Sequence, residues 1–271
     1  MNDRVTVDLK DGVADVRLIR VDKMNALDDA MFGALVETGE RLKTEAGVRA
    51  VVLSGEGRAF CAGLDMGSFQ AMASGERARN RDSSAALLTP KRTKGGANRA
   101  QQACMVWREI PVPVIAAVHG VAFGGGFQLA LGADLRFVAA DVKLAVLEIK
   151  WGLIPDMAGM VLMRGLVRDD VARELTYTGR IFGGEEAVAM GLATRVCADP
   201  RAEPLALAAE IAAKNPHAIR AGKRLLNLMG EADQPAILLA ESREQGALIG
   251  SANQVEAVMA NLQKRAPSFA D

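Results

Sequence analysis

The sequence predicts an α/β fold, a layered core followed by a helical C-terminal region. Short apolar runs at residues 49–54, 112–118 and 134–139 have the length and β-branched content of buried strands. From residue 158 onward the apolar spacing is almost wholly helical. Strands early and helices late are the pattern of such a layered core.

Taken in order, residues 5–9, the turn Asp11-Gly12 and residues 13–19 read as a β-hairpin with rough alternation. Residues 25–28 lead into a helix over 29–44, apolar at Met31, Leu35 and Leu42. The strand over 49–54 runs out at Gly55. Strands over 112–118 and 134–139 follow, with a glycine run and a helix over 127–131 between them. Pro155, Gly179, Gly183, Gly191 and Pro200 punctuate the later part. Late helices are expected over 204–214, 216–229 and 235–262, with apolar faces for the core or for another subunit. This divides the chain into a core over 1–200 and a helical region over 201–271.

Residues 71–97 stand apart. They are polar, rich in Arg and Lys, and interrupted by Gly75, Pro90 and Gly95-Gly96. They read as a mobile excursion within the domain. Their charge is either a solvated face or a lid whose cations meet an anionic ligand.

At 271 residues the chain lies near the upper limit of one hydrophobic core. Lys plus Arg and Asp plus Glu both total 33, so the formal net charge is zero. Such a balance gives no electrostatic reason to expect nucleic acid as partner, and it does not oppose self-association. No stretch has signal-peptide or membrane-span character. The three cysteines are scattered and odd in number, which argues against a disulfide framework. A cytoplasmic protein with reduced thiols is expected. With two histidines and no ligand spacing, no dedicated metal site is expected either.

Two loops could carry chemistry. In the first, residues 57–65 (GRAFCAGLD), small residues let the backbone turn after a buried strand. Gly63 leaves neighbouring N–H groups unobstructed, and Asp65 is placed to cap the next helix. In the second, residues 118–128 (VHGVAFGGGFQ), three consecutive glycines precede a helix. They cost conformational entropy, so something requires bare backbone there. N–H groups at a helix start attract negative charge. The dinucleotide spacing G-x-G-x-x-G is absent, and no Lys-Ser/Thr pair follows as in a P-loop.

Together with residues 22–27 (DKMNAL), Leu147-Glu148-Ile149, Gly152-Leu153-Ile154-Pro155 and Gly191-Leu192-Ala193, these loops resemble the crotonase superfamily of enoyl-CoA hydratases and isomerases. The resemblance runs over nearly the whole chain and rests on the joint order of short motifs. It implies a crotonase-like spiral of ββα turns, with C-terminal helices that build a homotrimer or a dimer of trimers. It also implies an acyl-CoA thioester substrate whose oxygen is held by the Leu64 and Gly125 N–H groups. CoA contacts would come from Lys23, Met24, Ala26, Ala62, Asp65 and Met66. No separate cofactor is implied, because CoA arrives with the substrate.

Family hydratases use two glutamates; the corresponding positions here are Gln128 and Glu148. Gln128 could orient a water but cannot exchange a proton near neutral pH. A single carboxylate can still shuttle a proton between two carbons, as the family's double-bond isomerases do. Asp156 stands where family dienoyl-CoA isomerases carry an aspartate, although those also have an acid where Gln128 stands. The expectation is therefore an isomerase with Glu148 as acid/base and Asp156 as a second proton-transfer candidate. The alternatives are a hydratase whose water Gln128 positions and a non-catalytic acyl-CoA-binding protein. Glu148 and Asp156 could also serve as ion-pair partners or, for Asp156, as a helix N-cap. His119 reads as structural, Cys61 as a packing residue, and Trp107 and Trp151 as core, with Trp151 a candidate for lining an acyl pocket.

Overall fold

The computed structural model describes residues 3–74 and 92–271. The lid reading of 71–97 falls largely on residues outside that set. Eight strands are present among the described residues. β1 (Val5–Lys10) and β2 (Val13–Leu18) form the expected hairpin across Asp11-Gly12. β3 (Ala50–Gly55), β4 (Val114–Val118), β6 (Leu135–Ala139) and β8 (Arg195–Cys197) then add in parallel, giving a six-stranded sheet in the order β1-β2-β3-β4-β6-β8.

Both faces of this sheet are covered, which is why its strands read as continuous apolar runs. Side chains alternate between the two faces. Val51, Leu53, Val114, Ala116, Val118 and Val138 enter the larger core. That core also takes Met31, Leu35 and Leu42 from α1 (Asp29–Leu42), whose N-cap Asp28 accepts from the Met31 N–H at 2.8 Å. Ala50, Val52, Ile115, Ala117 and Phe137 face the other way.

A second, thinner row of pairings lies beyond the sheet. It comprises the bridge Leu27 to Leu64, the bridge Cys61 to Ala122, the parallel pair β5 (Val121–Phe123) and β7 (Lys143–Ala145), and the bridge Leu144 to Phe182. Each turn of the chain thus visits the main sheet, then this row, then a helix. β3 is followed by residues 61–64 and α2 (Met66–Ala73); β4 is followed by β5 and α4 (Gly125–Leu131). The result is the spiral of ββα turns, and its second row carries the two candidate loops.

α3 (Arg99–Glu109) precedes β4 and was not singled out from the sequence. It opens on a reciprocal capping box in which Asn98 and Gln101 each bond the other's backbone N–H. α5 (Gly159–Met163), α6 (Asp169–Thr178) and α7 (Gly184–Ala189) fill the stretch before β8, a short strand within a region expected to be almost wholly helical. α8 (Ala202–Ala212) lays Ala208 and Ala212 on the second face of the sheet, so the helical region after residue 200 is joined to the core through its first helix.

α9 (Pro216–Met229) is anchored by a buried lysine. Lys223 Nζ donates to the Val112 carbonyl at 2.8 Å and to Asp134 at 2.7 Å. The single helix expected over 235–262 is instead two, α10 (Gln234–Leu248) and α11 (Ala252–Gln263). Ser251 caps the second by accepting from the Gln254 N–H, which fixes the break.

Lys223→Met leaves Asp134 and a buried carbonyl without their cation. It is expected to cost about 3 kcal/mol, read as a lowered urea midpoint with unchanged slope.

Candidate active site

Three backbone segments lie side by side. The Leu27 N–H donates to the Gly63 carbonyl at 2.8 Å, and the Asp65 N–H to the Leu27 carbonyl at 3.0 Å. The Ala62 N–H donates to the Met24 carbonyl at 2.9 Å. Cys61 pairs with the next segment on both sides: its N–H donates to the Val121 carbonyl and its carbonyl accepts from the Phe123 N–H. Asn25, buried and with φ of 55°, ties the first segment down by donating through Nδ2 to the carbonyls of Glu56 and Ala59.

The glycines have steric reasons. A Cβ on Gly63 would sit 2.5 Å from the Phe123 carbonyl oxygen, and Gly63 has φ of +89°. A Cβ on Gly126 would sit 2.2 Å from the Cys61 oxygen, and one on Gly125 would meet Met157 and Leu27. The same Cβ on Gly63 would lie 3.7 Å from the Gly125 nitrogen, so the residue before Leu64 packs against the start of the glycine helix. Among the described residues, neither the Leu64 nor the Gly125 N–H donates to a backbone carbonyl. For Gly125 this follows from its place at the start of α4, where N–H groups have no partner within the helix.

Glu148 lies beside them. It opens the one-turn 3-10 helix Glu148–Trp151, and its carboxylate packs over Gly124, where a Cβ would lie 3.2 Å from Oε1. The residue is 9% exposed. Oε1 accepts from Gln128 Nε2 at 2.6 Å, whereas Oε2 has no hydrogen-bond partner. Burial pushes the Glu148 carboxyl above its usual range and the charge of Asp156 pushes it the same way, against the backbone N–H groups of Glu148 and Leu147 and the bond from Gln128.

Gln128 is buried at the other end of that bond. Its Oε1 accepts from the Met157 N–H at 2.9 Å and the Gly159 N–H at 2.8 Å. An amide oxygen has two lone pairs, and both are used here. Asp156 is exposed and precedes this loop. It is not the N-cap of α5; that position is Ala158, at φ of 69°.

Of the expected CoA contacts, Lys23 and Met66 present exposed side chains, while Ala26 is buried. The Ala62 N–H and Met24 carbonyl are engaged with each other. Asp65 caps α2 by accepting from the Gly67 N–H at 2.8 Å, and it pairs with Arg20 at 2.7 Å. Burial pushes its carboxyl up, but those two partners outweigh it and hold it below its usual range. Arg20, which the sequence did not point to, also donates to the Ala26 carbonyl.

Cys61 is fully buried, its thiol donates to the Asn25 carbonyl, and burial pushes its pKa up to about 12, as befits packing rather than nucleophilic attack. His119 holds the Gly57 carbonyl through Nε2. Trp107 is in the core, but Trp151 is not: it is half-exposed and stacks on Phe69 of α2 at 4.2 Å, linking that helix to the turn that bears Glu148. Among the described residues, no group of three or more His, Cys, Asp and Glu side chains is placed to hold a metal ion. No helix among them is long and apolar enough to cross a membrane.

A spiral of this kind, with two bare-backbone loops meeting beside a buried glutamate, defines the crotonase class. The family model for enoyl-CoA hydratase/isomerase matches residues 8–271, and the chain belongs to that family. A Bacillus subtilis (strain 168) protein described as a probable enoyl-CoA hydratase is 34% identical over 90% of both chains. The human mitochondrial Delta(3,5)-Delta(2,4)-dienoyl-CoA isomerase is also 34% identical, over 82% of this chain and 66% of that one. The crystal structure of a Mycobacterium smegmatis enoyl-CoA hydratase superposes with a TM-score of 0.83 at 31% identity, covering 98% of each chain.

A carboxyl whose pKa is higher folded than unfolded disfavours folding as pH rises through the folded value. Glu148→Gln removes that cost. The variant is expected to melt above the wild type at neutral pH, with the gain vanishing below about pH 4, where the carboxyl is protonated in both states. Scanning calorimetry across that range checks it.

Proposed function

We propose that this chain is a double-bond isomerase of unsaturated acyl-CoA thioesters, with Glu148 as acid/base. The observation that carries the reading is the asymmetry between the two family carboxylate positions. Glu148 Oε2 is buried without a partner, while Gln128 is neutral and its oxygen is saturated. One proton-transfer group suffices to move a double bond; hydration asks for both water activation and proton delivery.

In this mechanism Glu148 removes a proton from the carbon next to the thioester of a 3-enoyl-CoA. The electron pair moves into the thioester, and the N–H groups of Leu64 and Gly125 hold the oxyanion. Preorganised donors of this kind are worth about 3 kcal/mol each in the transition state. Glu148 then returns the proton to the far carbon, and the enolate collapses to the 2-enoyl thioester. The raised pKa suits a group that must both take and give the proton. Asp156 is the candidate for a second proton-transfer group where the substrate is a dienoyl chain.

Lys23, with Met24, Ala26, Ala62, Asp65 and Met66, is proposed to receive the CoA arm, and no further cofactor enters the chemistry. A homotrimer or dimer of trimers is in keeping with the apolar residues Leu238, Leu239, Val255, Val258 and Leu262 exposed on α10 and α11.

A second reading is hydration, favoured by the relatives described as hydratases. There the remaining N–H of Gln128 Nε2 would hold the water and Glu148 would make both transfers.

Glu148→Gln is expected to lower isomerisation of a 3-enoyl-CoA by about a hundred- to ten-thousand-fold while leaving the dissociation constant for CoA unchanged. Full activity in the variant contradicts the assignment. Tight CoA binding by a wild type that neither isomerises nor hydrates any enoyl-CoA points instead to a non-catalytic binding protein.

A further inference from the structure

We infer that Gln128 is a positioning residue, a neutral strap that ties Glu148 to the 157–159 loop and leaves Oε2 as the carboxylate oxygen that meets the substrate. This deepens the proposed function and rests on it for the role of Glu148.

The orientation of the Gln128 amide is fixed by two backbone donors. Because the Met157 and Gly159 N–H groups both require an acceptor, Oε1 faces them and Nε2 faces Glu148. A flipped amide would set two N–H groups against two N–H donors and break the 2.6 Å bond as well. The contact also requires a bare residue at 159, since a Cβ on Gly159 would sit 2.7 Å from Gln128 Oε1. The strap therefore couples three elements: α4, whose first residue is Gly125; the turn bearing Glu148; and the start of α5, just after Asp156.

It also makes the two Glu148 oxygens unlike one another. Oε1 accepts from Gln128 and is the oxygen nearer Gly124, while Oε2 is buried and unpaired. Besides Gln128, the backbone N–H groups of Glu148 and Leu147 favour its ionisation; Asp156, on the loop before α5, opposes it, and Cys104 of α3 is held protonated by burial. A neutral partner at 128 thus leaves Glu148 to titrate as one group rather than as half of a carboxylate pair. An acid there would face Glu148 Oε1 across a hydrogen-bond distance, where two adjacent negative charges would be forced to share a proton.

The test is an infrared titration of the Glu148 carboxyl in the full-length protein, with the band assigned by its loss in Glu148→Gln. In Gln128→Met the hydrogen bond to the ionised form is gone, and the midpoint is expected to rise by about one pH unit. In Gln128→Glu one oxygen keeps the two loop N–H groups and the other confronts Glu148, so the midpoint rises further. In Gln128→Met, kcat for a 3-enoyl-CoA is expected to fall by about a hundredfold with KM little changed. The acid limb of the kcat/KM profile of each variant follows its infrared midpoint.

Midpoints in both variants equal to the wild type overturn the inference. Should Gln128→Met fail to fold, Gln128→Glu, which retains the loop contacts, carries the test alone. If Glu148→Gln remains fully active, the proposed function falls, while the order of the infrared midpoints still decides the strap.

Discussion

The structure depends on one close approach, that of the backbone at residues 61–63 to the backbone at residues 123–126. The Cys61 oxygen and the Phe123 oxygen occupy space that a Cβ on Gly126 or on Gly63 would need. Only bare backbone permits it, and the β-bridge between Cys61 and Ala122 holds it in register. It sets Gly63, the residue before Leu64, against Gly125, and Glu148 packs over the neighbouring Gly124. The six-stranded sheet and its two apolar faces serve as the support that keeps the two loops from separating.

The second constraint is electrostatic. Burying a carboxylate with one oxygen unpaired is unfavourable, and here burial and the Asp156 charge outweigh the hydrogen bonds from Gln128 and the local backbone. That imbalance is useful to a group that must exchange a proton with carbon. Arg20 and Asp65 represent the opposite case: an ion pair with backbone bonds on both partners, which fixes the 23–27 segment and caps α2 without entering the chemistry.

Much of this was legible in the sequence because it is local. Asp11-Gly12 announces its hairpin, the apolar runs announce strands buried on both faces, and the triple glycine announces a need for bare backbone. What escaped is either too short for periodicity or too distant along the chain. β5, β7 and β8 are three residues each, less than one full alternation pattern. The partners of Gln128 on the 157–159 loop lie 29 and 31 residues away, and Asp65 finds Arg20 across 45. The Asn98 and Gln101 capping box was a readable signal for α3. Trp151 looked like core by residue type, yet its neighbours in the chain are exposed and its partner is Phe69.

In the proposed reaction the Leu64 and Gly125 N–H groups stabilise an enolate whose proton Glu148 moves between two carbons. Proton NMR of a 3-enoyl-CoA incubated with the protein in D2O is the decisive experiment. The expected result is conversion to the 2-enoyl thioester, with any solvent deuterium confined to the carbons on either side of the migrating double bond. A 3-hydroxyacyl product with no deuterium at the far carbon, or bound substrate that exchanges no proton, would contradict it.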